Sequence, residues 1–128
     1  MKAMMLLAVG AGGALGSMAR YLVAGAIQPP AWSGFPYGIF IVNVTGGLIM
    51  GALTEAFALK FHVAPEMRAF LTTGILGGYT TFSTFSLEAG LLIQRQAWGQ
   101  AAVYITGSAL LSIIALFIGM WLVRMAYA

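Results

Sequence analysis

Four apolar runs, separated by short breaks rich in proline or polar residues, account for nearly the whole chain. Ala3 to Ile27 carries a charge only at Arg20, Tyr37 to Leu59 carries one only at Glu55, and Met67 to Gln94 and Gly99 to Val123 complete the series. At about 1.5 Å per helical residue, each run is long enough to cross a hydrocarbon core of roughly 30 Å with some tilt. The breaks read as connections at the lipid interface. QPPAWSGFP (Gln28 to Pro36) holds three prolines and two aromatics, and QRQAW (Gln94 to Trp98) is a short polar turn. KFHVAP (Lys60 to Pro65) is followed by Glu66, so Pro65 opens a helix with an acid near the positive end of its dipole. The pattern predicts one all-α transmembrane domain over residues 1–128, with four spans at 3–27, 37–59, 67–94 and 99–123. Both termini then lie on one side.

The third run departs from the others. Its centre, TTGILGGYTTFSTFS (Thr72 to Ser86), contains Gly74, Gly77 and Gly78, each costing roughly 1 kcal/mol relative to alanine inside a helix, and then β-branched threonines. A helix broken near Gly77 to Thr81, at mid-membrane, is the expectation. Non-helical backbone at that depth is tolerated only where protein, water or an ion satisfies the freed N–H and C=O groups. The break therefore marks either a packing kink or an ion pathway. Hydroxyls at Thr80, Thr81, Ser83, Thr84 and Ser86 beside Phe82 and Phe85 favour the pathway.

Composition narrows the class. With 61% hydrophobic and 7% charged residues, the chain lacks the polar groups to cover a soluble surface, so the reading is an integral membrane protein. The opening MKAMMLLAVGAGGALG imitates a signal peptide, but the apolar run continues to Ile27 and reads as the first span. Six Lys and Arg scattered along the chain, for a net charge of +3, form membrane-edge anchors rather than a nucleic-acid surface. One His, three acidic residues and no Cys leave little from which to build an enzyme active site. His62 reads as a solvated loop residue. Glu55 and Glu88, each one or two turns from a span end, read as capping or surface groups facing interfacial water; Glu88 is also the one candidate for a proton-coupled carboxylate.

Other spans offer neutral donors. Asn43 stands among Ile41, Val42 and Val44 and needs a partner, while Tyr104, Ser108 and Ser112 repeat at i, i+4 and i+8 on one helix face. Arg20 lies well inside the first span, either snorkelling to headgroups or placing a fixed positive charge in a vestibule. Phe82 and Phe85 share a face if the helix resumes after the break, and their electropositive ring edges suit a small anion that is costly to strip of water. Small-residue pairs at Gly12/Gly16, Gly13/Ser17 and Gly47/Gly51 allow close helix approach, within one bundle or between subunits. Four short helices enclose little, which favours an oligomer.

GGYTTFSTFS (Gly77 to Ser86), VNVTGG (Val42 to Gly47) and GSMAR (Gly16 to Arg20) together resemble the Fluc, or CrcB, family of fluoride channels, and the resemblance extends over all four spans. It implies an antiparallel, dual-topology homodimer in the bacterial inner membrane, with two fluoride pores and no cofactor beyond a structural sodium ion. The sodium would be held by backbone carbonyls of Gly77 and Thr80 from each subunit. Phe82 and Phe85 would be the pore phenylalanines, Asn43 the pore amide and Arg20 the vestibule arginine, with Ser83, Thr84, Tyr104, Ser108 and Ser112 along the polar path. The implied function is passive export of cytoplasmic fluoride, reducing its toxicity. Lys2, Lys60, Arg68 and Arg124 fall on the side of the termini and Arg95 and Arg20 opposite, a small bias against equal insertion both ways. The residues alone leave open a small proton-coupled exporter of toxic cations using Glu88, or a structural subunit without ion flux.

Overall fold

The computed structural model of the chain describes residues 2–27 and 34–127; the Gln28 to Ser33 part of the first connection lies outside them. Helix α1 runs Lys2–Ala26 and α2 runs Tyr37–Leu59. A third rod is composite: α3 (Pro65–Ala69), a π-helical segment (Phe70–Leu76) and α4 (Gly77–Tyr79) follow one another directly. The rod stops at Thr80, and α5 (Ser83–Gln94) begins after a short non-helical stretch. Helix α6, Trp98–Tyr127, completes the chain. All regular structure among the described residues is helical, and α1, α2 and α6 are each long and apolar enough to cross a membrane.

Local chemistry sets the ends. Pro65 opens α3 in the first turn, where its missing N–H is no loss. Helix α5 closes with Gln96 in a left-handed conformation (φ 58°), the Ala97 N–H bonding Leu92 O and the Gln96 N–H bonding Ile93 O. Those two bonds form a Schellman cap. Helix α6 outruns the expected span at 99–123 because Arg124 to Tyr127 contain no breaker, so Arg124 stands on the helix rather than in a tail.

Packing follows membrane logic, with small residues inside and large apolar ones outside. Leu6, Leu7, Leu22, Phe117 and Trp121 all face outward. Inside, α1 lies on the composite rod through glycine. A Cβ on Gly16 would fall 2.0 Å from Ile75 O, one on Gly12 2.8 Å from Gly74 Cα, and one on Gly78 2.6 Å from Gly13 O. Helix α2 meets α6 in the same way, since a Cβ on Gly51 would fall 1.9 Å from Leu116 O and one on Gly119 2.1 Å from Leu48 O. The glycines at 12, 16, 47 and 51 are thus used within the chain, whereas an added Cβ on Gly13 would meet nothing within 4 Å among the described residues. Tyr104, Leu92 and Ala101 join Phe35, Ile39 and Ala89 in a compact cluster that ties α5 and α6 to the start of α2.

The end bearing the termini holds a pair that the spacing did not reveal. Glu55, expected at the surface, is 4% exposed and accepts both Nε and Nη2 of Arg124 at 2.7 Å on the same carboxylate oxygen. The extra helical turn of α6 brings Arg124 over α2, and a carboxylate so deeply placed requires such a partner. Nearby, Arg68 lies over the Phe57 ring and Lys60 over Tyr127, at 5.0 and 4.9 Å.

Two alanine substitutions separate packing from helix propensity. Gly10 has nothing within 4 Å of an added Cβ, so Gly10→Ala is expected to stabilise by up to about 1 kcal/mol. Gly16→Ala must move a backbone carbonyl and is expected to destabilise by about 1–3 kcal/mol. Thermal unfolding of the detergent-solubilised protein measures both.

Candidate functional site

The interruption between α4 and α5 is built from backbone groups turned away from the helical ladder. Thr80 is extended (φ −82°, ψ 157°), which carries the chain out of the helix. Its own N–H and hydroxyl both bond Leu76 O, at 2.9 and 3.0 Å, closing the end of the rod. In an unbroken helix the next N–H, that of Thr81, would bond the Gly77 carbonyl. It bonds Asn43 Oδ1 at 2.9 Å instead, while Asn43 Nδ2 donates to Thr81 O at 3.1 Å. One side-chain amide thus satisfies both polar groups of one residue, as a neighbouring strand would.

The restart is capped from within. Phe82 already has helical torsions (φ −92°, ψ −31°), and its carbonyl accepts the Ser86 N–H at 2.8 Å. Thr81 Oγ1 accepts the Thr84 N–H at 3.1 Å, the bond of an N-cap residue to the third residue of its helix. Thr81 is therefore fixed three times over.

Beside the interruption lies an open groove of about 440 Å³, walled by α2, α6 and the start of α5. Asn43, Thr80, Thr81, Phe82, Phe85, Ser108 and Ser112 line it, together with Gly46, Gly47 and apolar residues; among the described residues no charged side chain does. The Ser108 and Ser112 hydroxyls are buried without a hydrogen-bond partner among the described residues. A buried hydroxyl left so costs roughly 1–3 kcal/mol, and two on one stripe of one groove point to something that occupies it. Phe82 projects 79% exposed at the rim, its ring centroid 5.5 Å from that of Phe85. Apolar walls with a few neutral donors can take a small, partly dehydrated anion, whereas a bare cation would find no carboxylate.

The remaining candidates lie elsewhere. Tyr104, one turn before Ser108, is fully buried against Phe85 at 5.1 Å, and its hydroxyl reaches Glu88 Oε2 at 3.4 Å. Glu88 is thus partnered and lies off the groove. Ser83 Oγ is 3.3 Å from Thr81 Oγ1, and Thr84 Oγ1 accepts from Arg20 Nη1 at 3.3 Å, so these residues brace the restart rather than line the groove. Arg20 accordingly bridges α1 to α5. Gly77 is exposed, with its helical donor committed to Asn43. Sequence reasoning missed Thr45, Gly46 and Tyr79, which pack around the interruption. The available signal was the clustering of Asn43, Thr45 and Gly46 within the otherwise apolar stretch from Ile39 to Leu53.

Residues 7–120 match the family described as "CrcB-like protein, Camphor Resistance (CrcB)". The chain is 49% identical over 124 residues to the "Fluoride-specific ion channel FluC" of Caulobacter vibrioides (strain NA1000 / CB15N), covering 96% of this chain and 98% of that one. It is 48% identical over 124 residues to the protein of the same name from Rhodospirillum centenum, covering 97% and 98%. Against that of Rhizobium meliloti it is 49% identical over 119 residues, covering 93% and 95%. These matches and the long apolar helices make this a multi-pass membrane protein, and the chain belongs to the CrcB-like family.

Proposed function

We propose that the chain is a fluoride-specific channel that lets fluoride leave the cytoplasm by passive electrodiffusion. The two serine hydroxyls, buried without a partner among the described residues in a groove whose described walls carry no charge, support this reading for the present chain. It is supported by near full-length relatives named as fluoride-specific channels. In this reading the composite rod, the interruption and α5 form one span, which makes four, with the interruption near mid-membrane. Fluoride passes the edges of Phe82 and Phe85 and the hydroxyls of Ser108 and Ser112, with the second N–H of Asn43 as a further donor. Tyr104, Ser83 and Thr84 flank this path, and Arg20 draws anions toward it.

A groove open on one side, with a phenylalanine exposed at its rim, fits closure by a second copy, here proposed as an antiparallel homodimer in the bacterial inner membrane. The carbonyls of Gly77 and Thr80 suit the proposed sodium ion, because Gly77 is exposed and the N–H that would close a helical bond on its carbonyl is committed elsewhere. A sodium ion there would hold oxygens of both copies together. A proton-coupled cation exporter would depend on Glu88, which does not line the groove.

Fluoride efflux from proteoliposomes, followed with an ion-selective electrode, tests the reading. Efflux should be electrogenic and independent of a proton gradient, and Glu88→Gln should retain it. Absence of efflux in the wild-type protein refutes the channel. Phe82→Ile and Phe85→Ile should each lower flux at least ten-fold while the dimer elutes unchanged. Packing alone forecasts survival of flux, since such swaps usually cost under about 1.5 kcal/mol. Ser108→Ala and Ser112→Ala should each lower it several-fold, in keeping with about 1 kcal/mol for one net hydrogen bond.

Orientation has its own test. A C-terminal tag on the chain expressed alone should be accessible from both sides of the membrane. Single-sided labelling of a functional homodimer rules out the antiparallel arrangement.

A further inference from the structure

Asn43 holds one flank of the interruption; the other flank is held by a hydroxyl pair. Tyr79, the last residue of α4, places its hydroxyl 3.0 Å from Thr45 Oγ1 on α2. The direction of that bond follows from the other contacts of Thr45. Its Oγ1 lies 2.7 Å from Ile41 O and 3.1 Å from Val42 O, so its single hydrogen is committed to carbonyls of its own helix. Tyr79 must donate and Thr45 accept.

The geometry around α2 gives this bond a purpose. Asn43 and Thr45 are two residues apart, about 200° around the helix, so they grip from different sides, and Gly46 falls in the shorter arc between them. Thr80 lies over that glycine, where an added Cβ would stand 2.2 Å from its Cγ2 and 3.3 Å from the Tyr79 ring. The chain therefore straddles α2: Tyr79 is tied on one flank, Thr81 on the other, and extended Thr80 is pressed onto a bare backbone between them. Two tethers on opposite flanks stop rotation about either one alone. The orientations of the Thr80 carbonyl and of Phe82 both depend on this frame.

We infer that the Tyr79–Thr45 hydroxyl pair is a positioning device that, together with Asn43, fixes the direction of the Thr80 carbonyl and the Phe82 ring. Tyr79 does not line the groove and acts through its neighbours. The role rests on the channel reading only for its effect on flux; the tether itself can be measured without conduction.

The test compares Tyr79→Phe, Thr45→Val, Thr45→Ser and the Tyr79→Phe/Thr45→Val double variant in proteoliposomes, by fluoride efflux and by hydrogen exchange of a peptide spanning residues 77–86. Tyr79→Phe and Thr45→Val should each lower efflux about five-fold and speed exchange in that peptide, with melting temperature and dimer elution unchanged. The double variant should be no worse than either single one, because both remove the same bond. Thr45→Ser, which keeps the acceptor, should restore both readouts. Wild-type exchange in both hydroxyl-free variants overturns the inference, as does faster exchange spread evenly over all helices or a Thr45→Ser variant no better than Thr45→Val. Accelerated local exchange with unchanged efflux refutes the positioning role. If the wild-type protein conducts no fluoride, the channel reading falls, and exchange still decides the tether.

Discussion

A peptide group that leaves a helix must find new hydrogen-bond partners, and the arrangement of this fold depends on how the Thr81 peptide meets that constraint. Asn43 supplies an acceptor and a donor from one side chain, 2.9 and 3.1 Å from the two backbone groups that need them. Because the amide is planar and short, it reaches Thr81 only if α2 passes directly beside the interruption. That closeness explains Gly46, over which the Thr80 methyl sits. Helix α2 is also crowded against α6 through Gly47 and Gly51, so that both neighbours are met by bare backbone. The groove is the space left where α2, α6 and the restarted helix diverge.

Much of this was legible in the sequence, for separable reasons. The three long apolar helices could be read because hydropathy over some twenty residues is a strong signal, and α2 begins and ends at the expected Tyr37 and Leu59. The irregularity of the third run could be read because glycine and threonine penalties accumulate. Its location was less legible: Gly77 to Tyr79 remain helical, and the chain departs only at Thr80, where Asn43 offers a replacement bond. Propensity weakens a helix over a range, whereas a tertiary partner chooses the residue. The Glu55–Arg124 pair was hidden for a related reason, since it depends on how far α6 continues past Val123. Thr45 carried only the signal of its clustering with Asn43 and Gly46, and Tyr79 carried none.

The polar residues of the third run divide their labour in a way that spacing could not show. Ser83 and Thr84 look like part of a continuous hydroxyl path, yet one meets Thr81 and the other receives Arg20. Ser108 and Ser112, placed with Tyr104 on one helix face by their spacing, have buried hydroxyls with no protein partner among the described residues. Whether a hydroxyl supports the frame or faces the groove depends on what lies opposite, which is a property of packing.

The π-helical segment at Phe70–Leu76 has a consequence for how such a rod tolerates change. A π turn amounts to an α turn that has accepted one more residue, and inserting a residue in an α-helix lengthens it by only about 1.5 Å while turning everything beyond it by about 100°. Here the wide turn absorbs that residue before Gly77. The face that Gly78 presents to α1 and the heading of the chain at Thr80 are thereby set independently of how Pro65–Ala69 is seated. Sequence drift in the outer turn can be accommodated there as slack. Removing a single residue between Phe70 and Leu76 would return the wide turn to an α turn and leave Gly78 facing α1, whereas the same removal within Gly77–Tyr79 has no slack to draw on and would turn the heading of the chain at Thr80 by about 100°.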